Sequence, residues 1–208
     1  MLPPFVYVVR VFMAGTVVFF GCTDNLISRR AFNMYVDSLA SKARARPDRP
    51  EYAKALVAIA RRPTTTSAEK HHAMVAAHAL RSTGRAVSHV LNDMVGLLDS
   101  PYGGVSQATA ISLMELGPTI SPVVDDIAAR IKRGPLDATA WFAVQALAHC
   151  GASAEKHLPM LRDLHGHEPA MFTGTVAQAI ADIEAALEDT RFNSTTDNRK
   201  AEKDRHSP

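Results

Sequence analysis

Three glycines recur at a period that only a few architectures tolerate. Gly84, Gly117 and Gly151 lie 33 and 34 residues apart, and each closes the same short pattern. Ala79-Leu80, Ser112-Leu113 and Ala146-Leu147 place a small residue and a leucine five and four positions before the glycine. A partial fourth copy, Ala179-Ile180 to Ile183, follows Ala146-Leu147 by 33 residues, with Glu184 in the glycine's place. Self-similarity at a fixed period of this size marks an array of supersecondary units, because one unit cannot bury its apolar face alone.

The register extends to both sides of the glycines. Leu91, Val124 and Leu158 lie seven residues beyond, and Met94, Ile127 and Leu161 lie ten beyond. Upstream, Ala76, Thr109, Ala143 and Val176 stand four positions before the repeated Leu or Ile. Both offsets are helical, so each unit reads as two helices joined at the glycine. The glycine suits a helix C′ position, where a positive φ is needed. Composition points the same way: 33 Ala and an aromatic share of only 6% favour close-packed helices over sheet.

Boundary signals place the helices. Thr66 with Glu69 makes a capping-box pattern, and Asp99-Ser100-Pro101 and Gly134-Pro135 break helices between units. The first helices are expected at about 67–83, 104–116, 137–150 and 170–188, and the second at about 86–98, 120–133 and 155–165. Segments 26–45 and 51–62 are also apolar-periodic but out of register, and read as an irregular helical N-terminal cap. After Thr190 the sequence is polar and aperiodic, which predicts a disordered tail over 191–208.

The stretch Asp99 to Leu116, with the glycine after it, resembles the HEAT-like repeat of the phycobilisome-lyase class through Asp99, Val105, Ala108, Leu113, Leu116 and Gly117. Ser106 and Gln107 leave the family's arginine absent. The resemblance spans roughly 67–188 and implies an all-α fold, an α-solenoid (right-handed superhelix) of three to four HEAT-like hairpins, here over 67–190. It also implies that the second helix of each unit lines the concave face.

An apolar run from Val11 to Phe20 follows Arg10. Ten helical residues rise about 15 Å, which suits an export signal over 1–21 better than a membrane span. Gly21-Cys22 resembles the lipobox of bacterial lipoproteins, although Phe19 and Phe20 depart from its preferred residues. That resemblance implies lipid attachment at Cys22, a domain beginning there with the cap over 22–66, and a place at the cell envelope on the periplasm-facing or outer surface. If the signal is false, a cytoplasmic scaffold is the alternative.

Charge is divided along the chain. Residues 29–85 hold 12 Lys plus Arg against 4 Asp plus Glu, whereas 86–191 hold 6 against 13. The basic half would lie nearest the membrane if Cys22 is acylated. Nucleic acid is not expected as a partner, because the second helices carry Asp93, Asp125, Asp126 and Asp163 where a reader needs a basic stripe with stacking aromatics.

By register Asn92 aligns with Asp125, and Asp93 with Asp126, flanked by His89 and Lys156. This ladder, with Asp163, is the candidate surface for a basic or amide-rich protein partner. No HExxH or CxxC spacing organises His71, His72, His78 or the His165-Gly166-His167-Glu168 run into a metal site, and these read as polar surface or loop histidines. Cys150 reads as an inert packed thiol and Trp141 as a residue packed on the next unit. Neither a P-loop, GxGxxG nor a nucleophile elbow occurs. The sequence therefore reads as a non-catalytic, cofactor-free interaction scaffold, with an enzyme-accessory or lyase-like role as the alternative.

Overall fold

The computed structural model describes the backbone of residues 26–167 and 173–205, with side chains over 29–166 and 174–192. The described residues are helical and contain no strand. Nine α-helices are described: α1 Leu26–Ala45, α2 Glu51–Ala60, α3 Ser67–Ala79, α4 Leu91–Leu97, α5 Gly103–Leu116, α6 Val124–Arg133, α7 Ala138–His149, α8 Leu158–His167 and α9 Thr173–Arg205. The expected signal over 1–21 and the acceptor Cys22 lie outside the described residues.

The three repeated glycines share a positive φ. Their φ angles are 60° at Gly84, 53° at Gly117 and 56° at Gly151. The positive φ expected of a helix-ending glycine is present, and the ψ angles are −137° at Gly84 and −132° at Gly117. These values lie near the first central position of a type II′ turn, which glycine fills because a Cβ is strained there. At Gly117 the following Pro118 reinforces the extended ψ, since a proline ring clashes with a helical residue before it.

Each turn runs into a 3-10 segment, at Gly117–Val123 and Gly151–His157, while Leu80–His89 flanks Gly84 on both sides. The second helices consequently start three to five residues later than the periodicity predicts. At the chain's far end the backbone of α9 stays helical to Arg205, beyond the expected end of order at Thr190. Once nucleated by its packed first half, a helix propagates at little cost per residue, and Lys, Glu, Arg and Ala near its end favour it.

The repeated apolar positions form the core. Leu80, Leu113 and Leu147 are fully buried, as are Met94, Ile127 and Leu161, and Ala76, Thr109, Ala143 and Val176 are buried with them. Through these positions α3 packs on α5, α5 on α7 and α7 on α9. Alanines at 76, 77, 108, 110, 143 and 146 keep these contacts close. On the N-terminal side α1 packs on α2, on α3 and on the segment around Gly84.

Contacts between neighbouring helices fix their direction. Ser106 bonds Thr139 Oγ1 at 3.0 Å, joining the starts of α5 and α7. His149 Nδ1–H donates to the Met114 carbonyl at 2.9 Å, joining their ends. The first helices therefore run parallel, with the glycine bends on one edge and the connections between units on the other. Buried hydroxyls follow the rule that such groups find partners: Ser112 donates to the Ala77 carbonyl and Thr109 to that of Val105.

Two N-caps set the register of the first helices. Asp137 accepts from Ala140 N at 3.0 Å and starts α7. Thr66 accepts from Glu69 N, while the Glu69 carboxylate accepts from Thr66 N at 2.8 Å and from Thr65 N and Oγ1. The Thr65 hydroxyl, then the Thr66 backbone, pull the Glu69 carboxyl down to about 2 from 4.5. A depressed folded-state value means that the box stabilises fully above about pH 4.5 and that this contribution disappears as pH falls toward 2. Glu69→Gln keeps a capping acceptor without titrating, so its urea-unfolding free energy should vary less over that window than the parent's.

Candidate functional site

The second helices carry the candidate ladder, and the chain itself occupies part of it. Asp93, in the first turn of α4, accepts from Arg61 Nη2 at 2.7 Å. Asp125, in the first turn of α6, accepts from Lys156 Nζ at 2.7 Å and from His157 Nε2 at 2.8 Å. The Lys156 bond, then that of His157, hold the Asp125 carboxyl below its ordinary range. Both aspartates also stand where a helix dipole favours negative charge.

The other ladder positions are presented outward. His89, Asn92 and Asp126 are exposed, and among the described residues no hydrogen bond or ion pair engages Asn92 or Asp126. Asp163 is exposed on α8 and has an interaction of its own. The register pairs Asn92 with Asp125 and Asp93 with Asp126 by position, yet their roles differ. Asp93 and Asp125 bridge neighbouring segments, whereas Asn92 and Asp126 face solvent.

Arg61 and His157 were not singled out by the sequence reading. The signal that finds them is the period itself, because Arg61 precedes Asp93 by 32 residues and His157 follows Asp125 by 32. The same spacing recurs in Ser121 with Ser153, Arg81 with Glu115 and Trp141 with Thr175, at separations of 32, 34 and 34. Trp141 is thus joined to the start of α9 and tilts against Phe142.

The histidines of α3 are less superficial than expected. His72 stacks on Phe32 of α1 with ring centroids 3.7 Å apart. Burial, then His71, Arg62 and Arg29, push its basicity down, which keeps the ring neutral at pH 7. Burial likewise lowers His78. For His72 the reason is the α1–α3 packing, which the sequence left undetermined because α1 is out of register. Among the described residues no three His, Cys, Asp or Glu side chains converge on a metal position, while His167 and Glu168 side chains lie outside them.

Cys150 is buried, its Sγ directed at the Gly117 carbonyl 3.9 Å away. Burial raises the thiol to about 11, so it stays protonated and unreactive at neutral pH. No described helix is long and apolar enough to cross a membrane. Comparison with protein-family models, curated proteins and solved structures returns no match.

Proposed function

We propose that this chain is an α-solenoid of three to four HEAT-like hairpins acting as a non-catalytic protein-binding scaffold at the bacterial cell envelope. Helices α1 and α2 form its N-terminal cap, and a lipid on Cys22 holds it to the membrane. Three glycine bends of closely similar positive φ and polar contacts recurring every 31 to 35 residues support the row of units.

The binding role rests on how the second-helix polar groups divide. Asp93 and Asp125 tie neighbouring segments, and the ties hold Asn92 and Asp126 at fixed exposed positions on the same elements. A rigid polar surface loses little freedom on meeting an extended basic or amide-rich segment.

The test is partner recovery by cross-linking in envelope preparations. Asn92→Ala with Asp126→Ala should lower recovery about tenfold, the effect of losing ~1.4 kcal/mol of binding. A control in Gln178→Ala, on α9, should leave recovery unchanged. Equal recovery by all three proteins rejects this surface as the binding face.

A further inference from the structure

The edge that carries the connections between units is selectively basic. It holds the starts of α1, α3, α5 and α7 and the ends of α2, α4 and α6, as the Phe32–His72 stack, the Lys70 ammonium 5.7 Å above the Tyr102 ring and the Ser106–Thr139 bond establish. Arg30, Arg62, Lys70, Lys132 and Arg133 are exposed along it, and no carboxylate pairs with them among the described residues. The carboxylates on this edge are already engaged: Glu69 in the capping box, Asp99 by Arg130 and Asp137 in the α7 cap. On the opposite edge, by contrast, the glycine bends carry both signs, with Arg81 paired to Glu115 and Asp125 to Lys156 and His157.

The basic edge is also where the N-terminal segment enters. Helix α1 runs from Phe32 beside His72 to Arg44, whose Nε donates to the Ser82 carbonyl at 2.9 Å next to the Gly84 bend. Its first residue, Leu26, follows Cys22 by four positions, a reach of at most about 14 Å. The 20 residues of α1 then carry the chain about 30 Å to the other edge, several times the Debye length of about 8 Å at physiological salt. A surface that holds residue 22 therefore feels the charge of the connecting edge and little of the bend edge.

We propose that the connecting edge lies on an anionic phospholipid surface, with Arg30, Arg62, Lys70, Lys132 and Arg133 facing the headgroups. This rests on the envelope reading above and adds an orientation to it. The units lie along the membrane, and the partner-binding second helices stand side by side above it. Each basic side chain at such a surface favours the docked state about fivefold.

The lone tryptophan reports the geometry, because Trp141 sits in the first turn of α7 on this edge. The full chain is reconstituted on vesicles of phosphatidylcholine alone or of phosphatidylcholine with phosphatidylglycerol, each containing a dansyl-headgroup lipid. Energy transfer from Trp141 should be stronger on the anionic vesicles and should fall with added salt. Replacing Arg30, Arg62, Lys132 and Arg133 by Gln should lower it to the neutral-vesicle level. The same change of charge at Lys42, Arg46, Arg49 and Arg85, toward the bend edge, should leave it unaltered.

Transfer that ignores lipid charge, or that falls equally in both fourfold variants, overturns the proposal. Because a bilayer-held chain gives a signal on both kinds of vesicle, loss of the charge response is separable from loss of the anchor. The anchor is read independently by fatty-acid labelling of the parent and of Cys22→Ala. Labelling confined to the parent, together with a charge-blind transfer signal, removes the docked edge and keeps the envelope reading.

Discussion

Leu113→Ala is expected to lower the unfolding free energy by about 2–5 kcal/mol, and Leu80→Ala and Leu147→Ala by amounts in the same range. All three leucines are completely shielded from solvent and occupy the same position relative to a bend glycine. The informative quantity is how the losses combine. In a row, a unit touches its neighbours only, so Leu80→Ala with Leu147→Ala should be additive within about 0.5 kcal/mol. Leu113→Ala with either of them should depart from additivity, because α5 packs on both α3 and α7. Denaturant unfolding of the three single and three double variants measures this directly. Coupling as strong between positions 80 and 147 as between neighbours would indicate one closed core instead of a row.

What the sequence disclosed follows from which forces leave a periodic trace. Burial does: the positions seven and ten residues past each glycine, and those four before each leucine, are buried because a helix face facing a neighbour must be apolar wherever the neighbour recurs. The bends do as well, since a positive φ selects glycine whatever surrounds it. The exact ψ did not, because a left-handed cap and a type II′ turn ask for the same residue. Nor did the 3-10 segments, where the hydrogen-bond pattern changes without altering which side chains are apolar.

The sequence places the candidate ladder on the second helices and leaves the contacts of its carboxylates within the chain unread. An exposed carboxylate on a repeat surface looks the same in sequence whether it awaits a partner or meets a cation from the next unit. In the structure Arg61 meets Asp93 and Lys156 meets Asp125, and both cations lie on elements whose orientation depends on packing. The Phe32–His72 stack was illegible for a different reason. It joins α1 to α3, and α1 does not share the repeat from which the other neighbours could be inferred.

Gly151→Ala is expected to be the most damaging of the three bend substitutions. All three residues have φ between 53° and 60°, where an L side chain costs about 1–3 kcal/mol. Only at Gly151 does a close obstacle add to that strain, because an added Cβ would stand 3.1 Å from Ala186 Cβ on α9. At Gly117 the nearest atom is the His149 carbonyl oxygen at 3.7 Å, an ordinary contact, and at Gly84 it is the flexible Arg44 side chain at 3.4 Å. Ala186→Gly itself costs about 0.5–1 kcal/mol inside α9, so the rescue is read as coupling: Gly151→Ala should cost less in the Ala186→Gly background than in the parent, and Gly117→Ala the same in both. Gly103→Ala serves as the opposite control: nothing lies within 4 Å of its Cβ position in α5, so a gain of about 0.4–1 kcal/mol is expected from the reduced freedom of the unfolded chain. Urea midpoints for the five single variants and for the two doubles of Ala186→Gly with Gly151→Ala and with Gly117→Ala decide the order. If Gly117→Ala proved harmless while Gly151→Ala was severe and fully rescued by Ala186→Gly, the α9 contact alone would set the cost, and positive φ would not be what fixes glycine at the repeat position.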